Sequence, residues 1–140
     1  MSAVPPTRPL AVHSVDEFVM SVPDLAQARH FFESFGLDVR DLDDATGGLA
    51  LHTFGHAHRW ARVLPGRHKR LLWLSLGVHA EDLPRFERHL SAHDLPRIDS
   101  PDAAHPGGLW IEGPDGLPIA LRVAEKSSPS APAPRRTVEP

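Results

Sequence analysis

Gly108-Leu-Trp-Ile-Glu-Gly-Pro-Asp-Gly-Leu-Pro-Ile-Ala-Leu-Arg-Val123 places two short apolar runs on either side of Gly113-Pro114-Asp115-Gly116. Proline presets a turn dihedral and glycine accepts positive φ, so the stretch predicts a β-hairpin. A weaker copy lies sixty positions earlier: Gly47-Gly48-Leu49-Ala50-Leu51-His52 answers Gly107-Gly108-Leu109-Trp110-Ile111-Glu112, and Ala61-Arg62-Val63 answers Leu121-Arg122-Val123. The helical segments repeat as well. Asp24-Leu25 answers Asp82-Leu83, and Phe35-Gly36-Leu37 answers His93-Asp94-Leu95, at an offset of fifty-eight. The chain therefore reads as two copies of a strand, helix, strand, strand, strand unit.

Outward from the hairpin, Val15 to Val22 alternates with Phe18, Met20 and Val22 on its apolar side, a first strand. Pro23-Asp24 stops it and offers a helix N-cap. Leu25, Ala28, Phe31, Phe32 and Phe35 follow at helical spacing, with Gly36 as the stop. Strands are expected at Leu37 to Asp41, Leu49 to Phe54 and Arg59 to Leu64, and the basic run Arg67-His-Lys-Arg70 reads as a solvated linker. Leu71 to Val78 is apolar on both faces, as a central strand is. A second helix with Leu83, Phe86 and Leu90 inward follows, then a short strand at Pro96 to Asp99. Residues 1–12 read as a flexible arm and 126–140 as a disordered Ser/Pro/Ala tail, leaving one domain over 13–125 with modules at about 13–66 and 70–125.

The chain's 140 residues suffice for a core without metal or disulfide, and it has no Cys, which excludes thiolate sites and cysteine nucleophiles. A net charge of −3 gives no reason to expect nucleic acid. No apolar run is long enough to span a bilayer, residues 1–12 lack a signal-peptide core, and a cytoplasmic location is the default. No nucleophile elbow, phosphate loop or dinucleotide fingerprint occurs.

Val15-Asp-Glu-Phe-Val-Met-Ser-Val-Pro-Asp-Leu25 with its Phe31-Phe32 helix, together with Gly113-Pro-Asp-Gly-Leu-Pro-Ile-Ala-Leu121, resembles the opening and closing signatures of the vicinal oxygen chelate superfamily. That group holds glyoxalase I, bleomycin resistance proteins and type I extradiol dioxygenases. Leu71 to Leu90 looks most like the amino-terminal domain of the dioxygenases. The resemblance implies an α+β fold, two βαβββ modules forming a curved mixed sheet around one cleft. It also implies metal-ligand positions, which fall on Glu17 and about Leu71 on the two first strands, near Trp60 and on Ala120 on the last strands. Only Glu17 carries an oxygen donor, whereas first-row cations need three or more protein ligands. Extradiol chemistry in the family also uses a Tyr, and this chain has none.

His52, His56 and His58 are weak metal candidates beside Glu17, because imidazoles two apart on an extended segment share a side. In a glycine turn such histidines are more often merely solvated. Trp60, Trp73 and Trp110 can wall a cleft. The expectation is thus a domain with a degenerate metal site and no cofactor, leaning away from enzyme. It is expected to bind a small apolar or aromatic molecule near Glu17, Trp60, Leu71 and Ala120, or to act as an accessory domain. The alternatives are a ring-cleaving dioxygenase or glyoxalase-type enzyme using Fe, Mn, Zn or Ni, and a structural dimerisation module. A homodimer, with no nucleic acid or membrane partner, completes the reading.

Overall fold

The computed structural model describes residues 9–125. Its strands are β1 (Ser14–Val22), β2 (Asp38–Asp41), β3 (Leu49–His52), β4 (Ala61–Pro65), β5 (Arg70–Val78), β6 (Leu109–Glu112) and β7 (Pro118–Val123), and its helices are α1 (Leu25–Ser34) and α2 (Leu83–Ala92). They form one mixed, curved sheet in the order β2-β3-β4-β1-β5-β7-β6. β1 runs parallel to β4 and antiparallel to β5, and β5 runs parallel to β7, so the two modules join along β1 and β5.

The helices begin and end where the side chains require. Asp24 accepts from the Gln27 amide at 3.0 Å, and Gly36 takes φ of +100°, which a side chain would resist. Pro84 lies in the first turn of α2, where its missing N–H breaks no helical bond. Each helix covers its own apolar cluster. Val22, Leu49, Leu51, Ala61 and Val63 lie under α1, with Leu25, Ala28 and Phe32 against them. Val78, Leu109 and Leu121 lie under α2, whose Phe86 and Leu90 pack onto them. Each fully buried Val, Leu or Phe in these clusters contributes about 1.5–3 kcal/mol.

The duplication is visible in the pairing. Phe18 faces Ala61, and shifting them by fifty-eight and sixty gives Leu76 and Leu121, which also face each other. Three expectations need correction. The segment Pro96 to Asp99 is not a strand; it makes an isolated bridge, Arg97 to Ile111, because Pro96 has no amide to donate. Phe31 and Phe35 do not point into the core and are more than half exposed; of the α1 side chains, Leu25, Ala28 and Phe32 pack there. In the expected arm, Leu10 packs on the cluster under α2, so the domain starts earlier than 13. Residues 1–8 of the arm and the 126–140 tail lie outside the described residues.

Candidate functional site

Both apolar clusters lie on the helix side, so the other face is free for polar work. Cross-strand partners share a face, and on the helix-free side they form two rows: Ala50, Arg62, Val19 and Trp73; then Glu17, Ser75, Ala120 and Trp110. A register shift in β1 between Val15 and Glu17 interrupts strict alternation. Asp16 and Glu17 consequently both address this face. Asp16 accepts from Ser75 Oγ at 3.0 Å and faces Arg122 at 3.8 Å, while Glu17 takes Arg59 at 2.6 Å and Arg62 at 2.8 Å.

Arg62 is the centre of the arrangement. One edge of its guanidinium meets both oxygens of Glu17, with Nε at 3.2 Å from each. Another edge meets Asp102, with Nη2 to Oδ2 at 2.6 Å and Nη1 to Oδ1 at 3.3 Å. Glu17, Arg62 and Asp102 are only 3%, 5% and 4% exposed, so this is a buried acid–base–acid triad. The Trp73 ring lies 5.7 Å from the guanidinium carbon, and Trp110 meets Trp73 edge to face. Asp102 comes from the connection between α2 and β6. It is fixed there by the Ser100 hydroxyl, which accepts from the Asp102 amide and donates to the His105 carbonyl, and by the Ala104 amide, which donates to Asp102. The triad thus ties this connection across the sheet.

Burial by itself would lower the Arg62 pKa, but the hydrogen bonds and charges of Asp102 and Glu17 outweigh it and raise it further above its ordinary value. Burial would likewise raise Asp102, yet Arg62 holds that carboxyl below the usual carboxylate range. A carboxyl whose folded pKa is depressed contributes stability above its unfolded value of about 3.9 and loses it as pH falls through the folded pKa. Asp102→Asn should therefore flatten the acid limb of the stability curve below about pH 4. It should also speed amide exchange in 99–108 at neutral pH, and unchanged exchange there would show that the ion pair does not hold the connection.

The structure corrects one position inferred from the family. Leu71 faces Met20 at the far end of β1 and is half exposed, whereas Ser75 faces Glu17. The fifty-eight-residue repeat also carries Glu17 to Ser75 and Asp24 to Asp82, so Ser75 is the equivalent site. Ala120 is fully buried beside it, and Trp60 is half-buried, packed on His58 at 4.4 Å. The histidines do not converge. His52 is buried on β3 with Nδ1 unpaired; His56 Nδ1 accepts from the His58 amide; His58 Nε2 donates to the Asp16 carbonyl at 2.7 Å. Among the described residues no group of three or more His, Asp or Glu is placed to hold a metal.

The positions the resemblance implies, with Ser75 in place of Leu71, are Glu17, Trp60, Ser75 and Ala120, and the side chains at these positions do not fit a divalent cation. Two have no donor, Ser75 offers a neutral hydroxyl already given to Asp16, and Glu17 is saturated by two guanidinium groups. Sequence reasoning missed Arg59, Arg62 and Asp102. The available signal was Arg62, a charge inside the apolar run Ala61 to Leu64 that recurs as Arg122 in the repeat.

No family model matches the chain. Metapyrocatechase 2 of Cupriavidus necator is 34% identical over 137 residues, covering 96% of this chain and 41% of that protein. The chain thus spans less than half the length of this curated relative. Its fold matches the 2,3-dioxygenase LapB from Pseudomonas sp. KL28 with a TM-score of 0.70 at 18% identity, over 89% of this chain and 47% of that one. It matches the Mn(II)-bound glyoxalase from Novosphingobium aromaticivorans with a TM-score of 0.61 at 17% identity, over 85% and 43%. With the duplicated topology and these likenesses together, the chain has the vicinal oxygen chelate fold and resembles the amino-terminal domain of an extradiol dioxygenase.

Proposed function

We propose that this chain is a metal-free accessory domain of the extradiol type, in which a protein cation replaces the metal as the charge that organises the inner face. The supporting observation is the Arg62 guanidinium, bonded on two edges to Glu17 and Asp102. A fixed cation there repels a second one, and carboxylates already paired gain little from a metal. Elemental analysis of the purified protein should find less than about a tenth of an equivalent of Fe, Mn, Zn or Ni, the level expected where water must supply most ligands. Calorimetric titration with Mn(II) should show no site, and catechol and glyoxalase assays should give no turnover. One metal per chain, lost on Glu17→Ala, would overturn the proposal.

A homodimer in the cytoplasm belongs to the same proposal. The outer strand β2 carries Asp38, Arg40 and Asp41, and charge on an edge strand discourages strand-to-strand pairing, so the contact proposed is between faces. Sedimentation at micromolar concentration should give twice 15.4 kDa, and a persistent monomer would refute the dimer.

A further inference from the structure

A cavity of about 30 Å³, room for one water, lies at the edge of the inner face beside Trp60 and His58. A cavity of about 420 Å³ lies on the opposite, helix-bearing side, between α1 and the end of β1. That volume is within the range of small-molecule sites. Its walls are Met20, Val22, Ala28, Phe31 and Phe32, and Lys69 stands at its margin.

Two independent features give this cavity a chemical character. Phe31 is 59% exposed although it packs edge to face on Phe32 at 5.3 Å, so an aromatic surface is left open where helix packing had room to bury it. The second feature is the basic run Arg67-His-Lys-Arg70, exposed throughout; Arg67, Lys69 and Arg70 have no ion-pair partner among the described residues. The run is held in place, because the Ser21 hydroxyl donates to the His68 carbonyl at 2.7 Å and the Gly66 amide donates to the Val22 carbonyl at 3.0 Å. Asp24, also at the margin, is engaged in capping α1 and would repel a multiply charged anion.

We propose that this cavity binds a small organic monoanion, an aryl or medium-chain carboxylate, with its apolar body against Phe31, Phe32 and Met20 and its carboxylate at Lys69. One ammonium without a partner matches one carboxylate, and the neighbouring arginines add a positive field that draws it in. The site is separated from the Arg62 triad by the sheet and does not rest on the metal-free reading.

Amide and side-chain NMR of the full chain, titrated with 2-naphthoate and with its neutral counterpart 2-naphthalenemethanol, tests the site. The expected shifts centre on Gln27, Ala28, Phe31, Phe32 and Lys69. Lys69→Glu should weaken naphthoate about tenfold, the size of one charge-assisted contact, and change the alcohol by less than about twofold. Phe31→Ser should weaken both compounds. Both side chains are exposed, so neither substitution removes core, and unchanged urea midpoints verify this; Lys69→Glu decides the matter if Phe31→Ser fails to fold. Shifts clustering on Trp73 and Trp110, equal losses for both compounds in Lys69→Glu, or no shifts at millimolar naphthoate would overturn the proposal. So would co-sedimentation with phosphatidylglycerol vesicles in place of naphthoate binding, which would assign the surface to a membrane.

Discussion

Arg62→Met is expected to lower the unfolding free energy by about 3–5 kcal/mol, because it leaves Glu17 and Asp102 buried without their cation. The methionine fills most of the volume, so the loss is electrostatic rather than a packing defect. Two further measurements separate these causes. At pH 4 the deficit should shrink, since the carboxyls can then be neutral when buried. The triple replacement Glu17→Leu, Arg62→Met and Asp102→Leu should recover stability to within about 1–2 kcal/mol of the original, as apolar residues of similar volume commonly do in place of buried ion triads. Urea denaturation curves supply all three values, and an Arg62→Met loss below about 1 kcal/mol would show that water reaches the triad.

The second large effect is a gain. Glu17→His, Ser75→His and Ala120→Glu, combined with Arg62→Met to remove the resident charge, should raise affinity for Mn(II) or Zn(II) on the order of a thousandfold over the original chain. Added metal should then raise the melting temperature, as a ligand bound only by the folded state must. Placing the second histidine at Leu71 instead of Ser75 should abolish the gain, because Leu71 faces Met20 and Ser75 faces Glu17. Equal affinity from the two designs would disprove the register.

The duplication was legible because it is written in turn chemistry: Gly47-Gly48 and Gly107-Gly108 precede strands at the same place in each half, and Asp24 and Asp82 stand at the starts of the helices. The site was only half legible. Glu17 could be placed from the Val-Pro-Asp signature that follows it, yet its partners Arg59 and Arg62 lie more than forty positions on, and Asp102 further still, in a connection without periodicity. Pattern reading sees neighbours along a chain, whereas an ion triad is a statement about three strands of backbone converging. Leu71 was misplaced for a smaller reason. An apolar run with no alternation offers no phase, and the pairing with β1 supplies it. Phe31 and Phe35 fit the helical period and are nevertheless outside, since a period defines a stripe but not how much of its width the sheet covers.

The register shift in β1 bears on whether the halves can live apart. Arg62 and Arg122 are equivalents in the repeat, but their counter-charges are not: Arg62 has Glu17 and Asp102, one from each half, whereas Arg122 has Asp16 of the first half, and the second half has Ser75 where an acid would complete the symmetry. The topology is twofold and the charge pattern is not. A tandem of two second halves would lack Glu17 and Asp16, and a first half alone would lack Asp102 and Arg122. Neither half is a spare part for the other, and the single extra residue in β1 sets Asp16 beside Glu17 so that one strand serves arginines of both halves.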